Sequence, residues 1–465
     1  MVHGLHRHLL WAMFGAGVLG GCVADSPEPG GEDSRSEGTA AAWSGCGDDD
    51  TAEESEVYLY PANHGRVDVY EGCTTGLSAT RAWTVAASGG SLARLGFSVG
   101  SAGDVNGDGY GDVVVGSVAD RWATDGMTSV HLGGPAGLEP APAWIVESDQ
   151  EAVYFGRSVD SAGDTNADGY GDVIVGAMYF EDGEEHEGAA YLYLGSAAGL
   201  GGTAVWIAQP DRAEAHFGCS VASAGDVNGD GYGDVVVGAY GERRAYLYLG
   251  SAAGPASGAA WTAHSENSRS YLGSSVAAAG DVNGDGYEDV VIGGDAGDRG
   301  GLVHLYLGSA LGLSANAVWS QESDETSFGS SVATGGDVNG DGYADILIGE
   351  AGYAHLYLGS AGGLATDAAW SQSSGEECGG GVPAVASAGD INGDGYGDIV
   401  IAEFGCELAL VFAGSASGPA TEPTATVLGD EAGWWRGAAS AGDVNGDRYD
   451  DLVVSMYGYT HDTSD

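Results

Sequence analysis

Four oxygen-bearing side chains fall at alternate positions in the nonapeptide Asp104-Val-Asn106-Gly-Asp108-Gly109-Tyr110-Gly-Asp112. Donors spaced by two converge on one point only if the backbone curls around it. Gly109, at position six, permits the positive φ that such a curl requires. Tyr110 adds its backbone carbonyl. All five are hard oxygen donors, so the chemistry they suit is coordination of a hard divalent cation. Ca²⁺ accepts roughly six to eight oxygens in loose geometry and fits better than Mg²⁺, which requires a tight octahedron. Asp, Asn and Gly also form ordinary turns. A metal-free turn, however, has no use for three clustered carboxylates, whose repulsion would cost on the order of a few kcal/mol.

The nonapeptide returns six more times. The second to fourth copies place these donors at Asp164, Asn166, Asp168, Tyr170 and Asp172; at Asp226, Asn228, Asp230, Tyr232 and Asp234; and at Asp281, Asn283, Asp285, Tyr287 and Asp289. The last three use Asp337, Asn339, Asp341, Tyr343 and Asp345; Asp390, Asn392, Asp394, Tyr396 and Asp398; and Asp443, Asn445, Asp447, Tyr449 and Asp451. Seven copies exceed chance. Two copies depart from the pattern. Ala167 replaces the position-four glycine of the second, a change expected to be harmless. Arg448 replaces the position-six glycine of the seventh, putting a Cβ at positive φ for about 1 kcal/mol and a cation beside the ion. The seventh site is therefore expected to be the weakest. EF-hand and dockerin readings fail, because both need flanking helices and an EF-hand needs Glu at position twelve, where this chain has strand residues such as Val115 and Val237.

The elements that must hold these loops are strands. A representative repeat runs from Phe217-Gly-Cys-Ser-Val into the loop at Asp226, then Asp234-Val-Val-Val-Gly238, Ala245-Tyr-Leu-Tyr-Leu-Gly250, a turn, and Ala260-Trp261. That is four short strands, with the acidic loop joining the first and second. The second strand is a continuous apolar run in each copy, as in Val113–Val115 and Ile346–Ile348. Such a run is apolar on both faces and belongs between two layers. Trp83, Trp144, Trp206, Trp261, Trp319 and Trp370 end six repeats and read as packing between layers. Repeats of this length and strand count predict an all-β, seven-bladed β-propeller of four-stranded blades. A linear stack would need capping repeats, and none is visible. After the seventh loop only Asp451-Leu-Val-Val454 and a short tail remain, whereas Gly65–Gly72, Gly76-Leu77 and Ala82-Trp83 match the missing half of a repeat. Pairing the N- and C-terminal strands should complete blade seven and latch the ring. Val57-Tyr-Leu-Tyr60 is unexplained by this scheme.

The formal net charge is −54, and all 14 basic residues are arginine. Seven divalent cations would offset only about a quarter of that charge, leaving an acidic surface unsuited to nucleic acid or anionic lipid. Met1–Gly21 reads as a secretory signal, with an apolar stretch from Leu9 to Leu19 that is too short to span a bilayer. Its end, Leu19-Gly20-Gly21-Cys22, resembles the lipobox of bacterial lipoproteins, which implies acyl chains on Cys22. Val23 after the cysteine then implies sorting to the outer membrane. An ordinary cleaved signal and a secreted product is the alternative. Residues 23–56 form a polar tether, and the propeller occupies 57–465. Cys46–Cys73 and Cys378–Cys406 are the expected disulfides, leaving Cys219 as a small filler.

The repeats resemble the FG-GAP repeats of integrin α-subunit propellers and their bacterial relatives. Phe155-Gly156, Phe217-Gly218 and Phe328-Gly329 match FG, and Val175–Ala177 and Val237–Ala239 stand where GAP would be. Leu95-Gly96, Leu272-Gly273 and Gly379-Gly-Gly381 depart from FG, Trp434-Trp435 stands in that slot of the seventh repeat, and GAP loses its proline throughout. The resemblance implies calcium in hairpin loops on one face of the ring, where it rigidifies them while ligands bind elsewhere.

Two function classes follow. One is a calcium-stabilised binding, adhesion or structural module at the cell surface, with an unidentified extracellular protein or polysaccharide as partner. The other is an extracellular hydrolase or lyase acting in the funnel. No Gly-x-Ser-x-Gly, His-Glu-x-x-His or phosphate-binding glycine motif is present. His131, His304 and His355 occupy third-strand slots held elsewhere by Tyr and read as packing residues. The module is therefore favoured over the enzyme. Irregular stretches at Asp182–Glu187, Arg243-Arg244 and Trp434-Trp435 are where recognition would sit on a rigid ring.

Overall fold

The computed structural model describes residues 64–459 except 87–93, 119–125, 149, 151–152, 268–269, 298–299, 374–380, 404–407 and 430–433. Seven antiparallel four-stranded sheets follow one another in chain order. Blade 1 comprises Arg94–Gly103, Asp112–Val118, Met127–His131 and Trp144–Glu147. Blade 3 comprises Phe217–Gly225, Asp234–Ala239, Arg244–Tyr248 and Trp261–His264. Blade 7 is assembled from both ends of the chain: Trp434–Gly442 and Asp451–Tyr459 pair with His64–Tyr70 and Trp83–Ala86. The strand Asp451–Tyr459 aligns antiparallel with His64–Tyr70, setting Val453 opposite Val69 and Val454 opposite Asp68. The closure expected from the two half-repeats is thus the one observed.

The second strands explain why the blades stack. Every residue of Asp112–Val118 is buried, and so is every residue of Asp234–Ala239. Because alternate residues of a strand point to opposite faces, each second strand supplies two cores. Val235 and Val237 pack with Ile174 and Leu192 of blade 2, whereas Val236 packs with Val290 and Ile292 of blade 4. The same arrangement crosses the closure, where Val67, Val69 and Val453 of blade 7 meet Val113 and Val115 of blade 1. Each valine so buried contributes about 1.5–3 kcal/mol. The core is therefore a set of slabs between blades.

The tryptophans tie neighbouring blades, as their spacing suggested. Trp206 Nε1 donates to Ala256 O at 2.9 Å, and its ring meets Tyr248 edge-on at 4.9 Å. Trp144, Trp261, Trp319 and Trp370 make the equivalent bond and ring contact to the following blade. Trp83 carries this over the closure, donating to Glu139 O and meeting the buried His131 edge-on. His304 and His355 bond Ser320 and Ser371 on their own fourth strands, so all three histidines act in packing.

Cys73 is disulfide-bonded. Cys46, Cys378 and Cys406, the signal segment with Cys22, the tether and Val57–Tyr60 lie outside the described residues. Cys219 is buried, its Sγ donating to Gly273 O at 3.3 Å. Among the described residues, no helix is long and apolar enough to cross a membrane.

Candidate metal centre

Each nonapeptide links the first and second strands of its blade, so the seven loops share one end of the ring. In the first, Asp104 curls the chain onto its own carboxylate. Oδ1 accepts N–H bonds from Gly107 at 2.6 Å and Asp108 at 3.1 Å, and Oδ2 accepts one from Gly109 at 2.8 Å. Asn106 Oδ1 accepts from the Asp108 N–H at 2.9 Å, and Asp108 Oδ1 accepts from that of Tyr110 at 3.1 Å. Gly109 sits at φ 90°, and its counterparts in the next five loops lie between 86° and 92°. The chain therefore takes the positive φ that the spacing demands. Positions one, three and seven are half-buried, position five is exposed and position nine is buried.

Asp112 has a second task that spacing did not reveal. It is fully buried, with Oδ2 accepting the Val105 N–H at 2.8 Å and Oδ1 accepting the Gly133 N–H at 2.8 Å. One carboxylate thus fastens the loop's entry, the second strand and the end of the third strand. All seven position-nine aspartates do this. The third-strand partner is always glycine, because a Cβ at Gly133 would lie 2.3 Å from Gly111 O. Burial pushes the carboxyls of Asp112, Asp234, Asp289, Asp345, Asp398 and Asp451 up to about 7, against the lowering effect of their two N–H bonds. Neighbouring loop carboxylates raise them further. Burial raises Asp172 as well, opposed by the hydroxyl of Thr165.

The loops also hold one another. Gly111 N–H donates to Asp443 O at 2.8 Å, Gly171 to Asp104 O at 2.8 Å and Gly233 to Asp164 O at 2.8 Å. The series continues through Glu288, Ala344, Gly397 and Asp450, each bonded to the first aspartate of the preceding loop, and so closes on itself. The acidic loops form a continuous hydrogen-bonded ring at one end of the propeller.

Seven sets of three carboxylates, an amide and a backbone carbonyl, pre-curled by backbone bonds, match the donor chemistry of Ca²⁺. Position-nine carboxylates keep lone pairs beyond those used by their N–H bonds. The two variant loops hold the same shape. Ala167 takes φ 56°, and Gly169 N–H still reaches Asp164 Oδ2 at 2.8 Å. Arg448 takes φ 77°, and its N–H reaches Asp443 Oδ2 at 2.8 Å. A Cβ at Gly109 would meet no atom within 4 Å, so a side chain at position six has room and the cost lies in φ alone.

The irregular stretches fall at the other end of the ring, where second strands hand over to third strands and blades to blades. Glu181–Glu187 joins the second and third strands of blade 2 and lies beside residues 209–216, which lead into blade 3. Arg243 takes φ 57° at the end of the 3-10 turn Tyr240–Glu242, and Arg244 Nε pairs with Glu242 Oε2 at 3.3 Å. At the start of Trp434–Gly442 the register opposite the second strand shifts between Trp435 and Gly437, whereas blade 1 shifts between Leu95 and Ser98; both pairs shift again just before the acidic loop. The Trp434-Trp435 slot therefore carries a shorter bulge than the Phe-Gly slot it replaces.

Comparison with known proteins agrees with this architecture. The FG-GAP-like repeat family matches residues 226–292 and 337–401, and the FG-GAP repeat family matches 155–193, starting at Phe155-Gly156. Integrin alpha-5 of Xenopus laevis is 31% identical over 167 residues, covering 34% of this chain and 16% of the relative. Human integrin alpha-IIb is 34% identical over 155 residues, covering 31% of this chain and 15% of the relative. Integrin alpha-V of Gallus gallus is 29% identical over 271 residues, covering 56% of this chain and 20% of the relative. The matched stretches thus span a fifth or less of the length of these relatives. On its repeats, its blade count and its closure, this chain carries FG-GAP repeats in a seven-bladed β-propeller that resembles the N-terminal propeller of integrin α subunits.

Proposed function

We propose that this chain is an exported, calcium-binding FG-GAP propeller that serves at the cell surface as a binding, adhesion or structural scaffold and is not an enzyme. The observation that carries the reading is the sevenfold repetition of one pre-curled acidic loop, each joined to the next. In each loop the aspartates at positions one, five and nine, the asparagine at three and the tyrosine carbonyl at seven hold one Ca²⁺. The ion supplies charge compensation that three clustered carboxylates otherwise lack. Because it binds the curled loop and not the unfolded chain, it stabilises the ring by mass action.

The acidic surface fits a cation-rich extracellular medium and excludes nucleic acid as a partner. An extracellular protein or polysaccharide is the ligand class, engaged by the irregular loops at the end opposite the calcium ring. Contact with the outer membrane runs only through acyl chains on Cys22. The test of the site assignment is Asp226→Ala combined with Asp230→Ala. Bound calcium should fall by one ion per chain, and an unchanged stoichiometry would overturn the assignment.

A further inference from the structure

We propose that Glu185, His186 and Glu214 form a binding site for a first-row divalent transition metal, Zn²⁺ foremost, at the end of the ring opposite the seven acidic loops. One ligand atom from each of the three lies within 4.8 Å of the others. His186 Nδ1 stands 3.4 Å from Glu214 Oε2. That is about the separation between two ligands of a tetrahedral zinc ion with bonds of about 2.0–2.1 Å. An imidazole nitrogen among carboxylates selects borderline metals over Ca²⁺, which prefers oxygen throughout. Three protein ligands leave a fourth position open to water or to a partner's ligand atom.

The surroundings orient the three side chains. His186 Nε2 faces Glu181 Oε1 at 3.7 Å, so with Nδ1 on a metal the Nε2–H has a carboxylate to receive it. A carboxylate accepting from the far ring nitrogen fixes the tautomer and orientation of a metal-bound histidine. His216 is buried, and its Nε2 stands 3.4 Å from Glu214 Oε2. It positions Glu214 while its own ring stacks on Tyr240 at 4.7 Å. The two segments are fastened along their backbones: Glu214 N–H donates to Glu185 O at 2.8 Å and His216 N–H to His186 O at 3.1 Å. Negative charge also accumulates here. Glu187 is fully buried, its Oε2 has no hydrogen-bond partner among the described residues, and Asp211, Asp182 and Glu184 act on it electrostatically.

The experiment titrates the full chain with Zn²⁺, and with Co²⁺ as a spectroscopic probe, in saturating Ca²⁺. Wild type should bind one ion that Ca²⁺ does not displace, with Co²⁺ giving visible d–d absorption. His186→Ala with Glu214→Gln should weaken that ion at least about 100-fold, and Glu185→Gln alone about 10-fold. Melting in Ca²⁺ should stay within a few degrees of wild type, since none of the three side chains is buried. His264→Ala, which removes an exposed histidine on the fourth strand of blade 3, should change nothing. Absence of a Ca²⁺-resistant ion in wild type, or unchanged affinity in both variants, would overturn the proposal.

Discussion

Asp451→Ala would test whether the position-nine carboxylate latches the ring. Asp451 Oδ1 accepts the Gly72 N–H at 2.9 Å and Oδ2 the Val444 N–H at 2.9 Å, so one fully buried side chain joins residues 379 apart. Removing it leaves two N–H groups without an acceptor, at about 1–3 kcal/mol each. The summed cost is about 2–6 kcal/mol, a fall in melting temperature of roughly 2–7 °C for a domain of this size. Asp234→Ala is the matched control, because Asp234 makes the same two bonds to Val227 and Gly250 within blade 3 and holds the same place in its loop. Both variants should melt earlier. Only Asp451→Ala should release the N-terminal strands, seen in hydrogen exchange as lost protection over residues 64–70 and 83–86. Equal protection of these strands in both variants, or a melting shift below about 1 °C, would refute the latch.

Two further predictions concern the loops. Arg448→Gly should stabilise the chain by about 1 kcal/mol and raise the seventh loop's calcium affinity about fivefold, because Arg448 already holds glycine-like geometry at φ 77°. A melting temperature that fails to rise would contradict it. In metal-free protein, the six position-nine carboxyls held at about 7 bind protons more tightly folded than unfolded, where the value is 3.8. The folded state therefore carries the extra protons between about pH 4 and 7, and stability falls as pH rises, by up to about 1.4 kcal/mol per pH unit for each carboxyl. Melting in EDTA should drop from pH 5 to 7.5, and calcium binding near pH 6 should release protons; a rise in melting temperature over that range would be the opposing result.

The loops and the blades were readable because each rests on a periodic signal. Spacing of two in Asp104–Asp112 gave the curl, and the apolar run Val113–Val115 gave a strand covered on both faces. Even the closure was visible, since Gly65–Gly72 carries the pattern that Asp451–Val454 lacks downstream. The clamp role of Asp112 was hidden because a ligand and an N–H acceptor call for the same residue at the same position. The loop-to-loop ring was hidden because Gly111 N–H to Asp443 O is a backbone bond with no side-chain signature. The Glu185, His186 and Glu214 cluster lies in two irregular segments 28 residues apart, where charge alone looks like solvated loop. Only the pairing of those segments brings His186 to Glu214.

If calcium builds this ring, thermal unfolding of the full chain with calcium and with excess EDTA, alongside bound calcium per chain, will show it. The expected result is six or seven ions and a large fall in melting temperature in EDTA, with the seventh loop the first to empty. An unchanged melting temperature and no bound calcium would reduce the seven acidic loops to turns and leave the ring without a metal role.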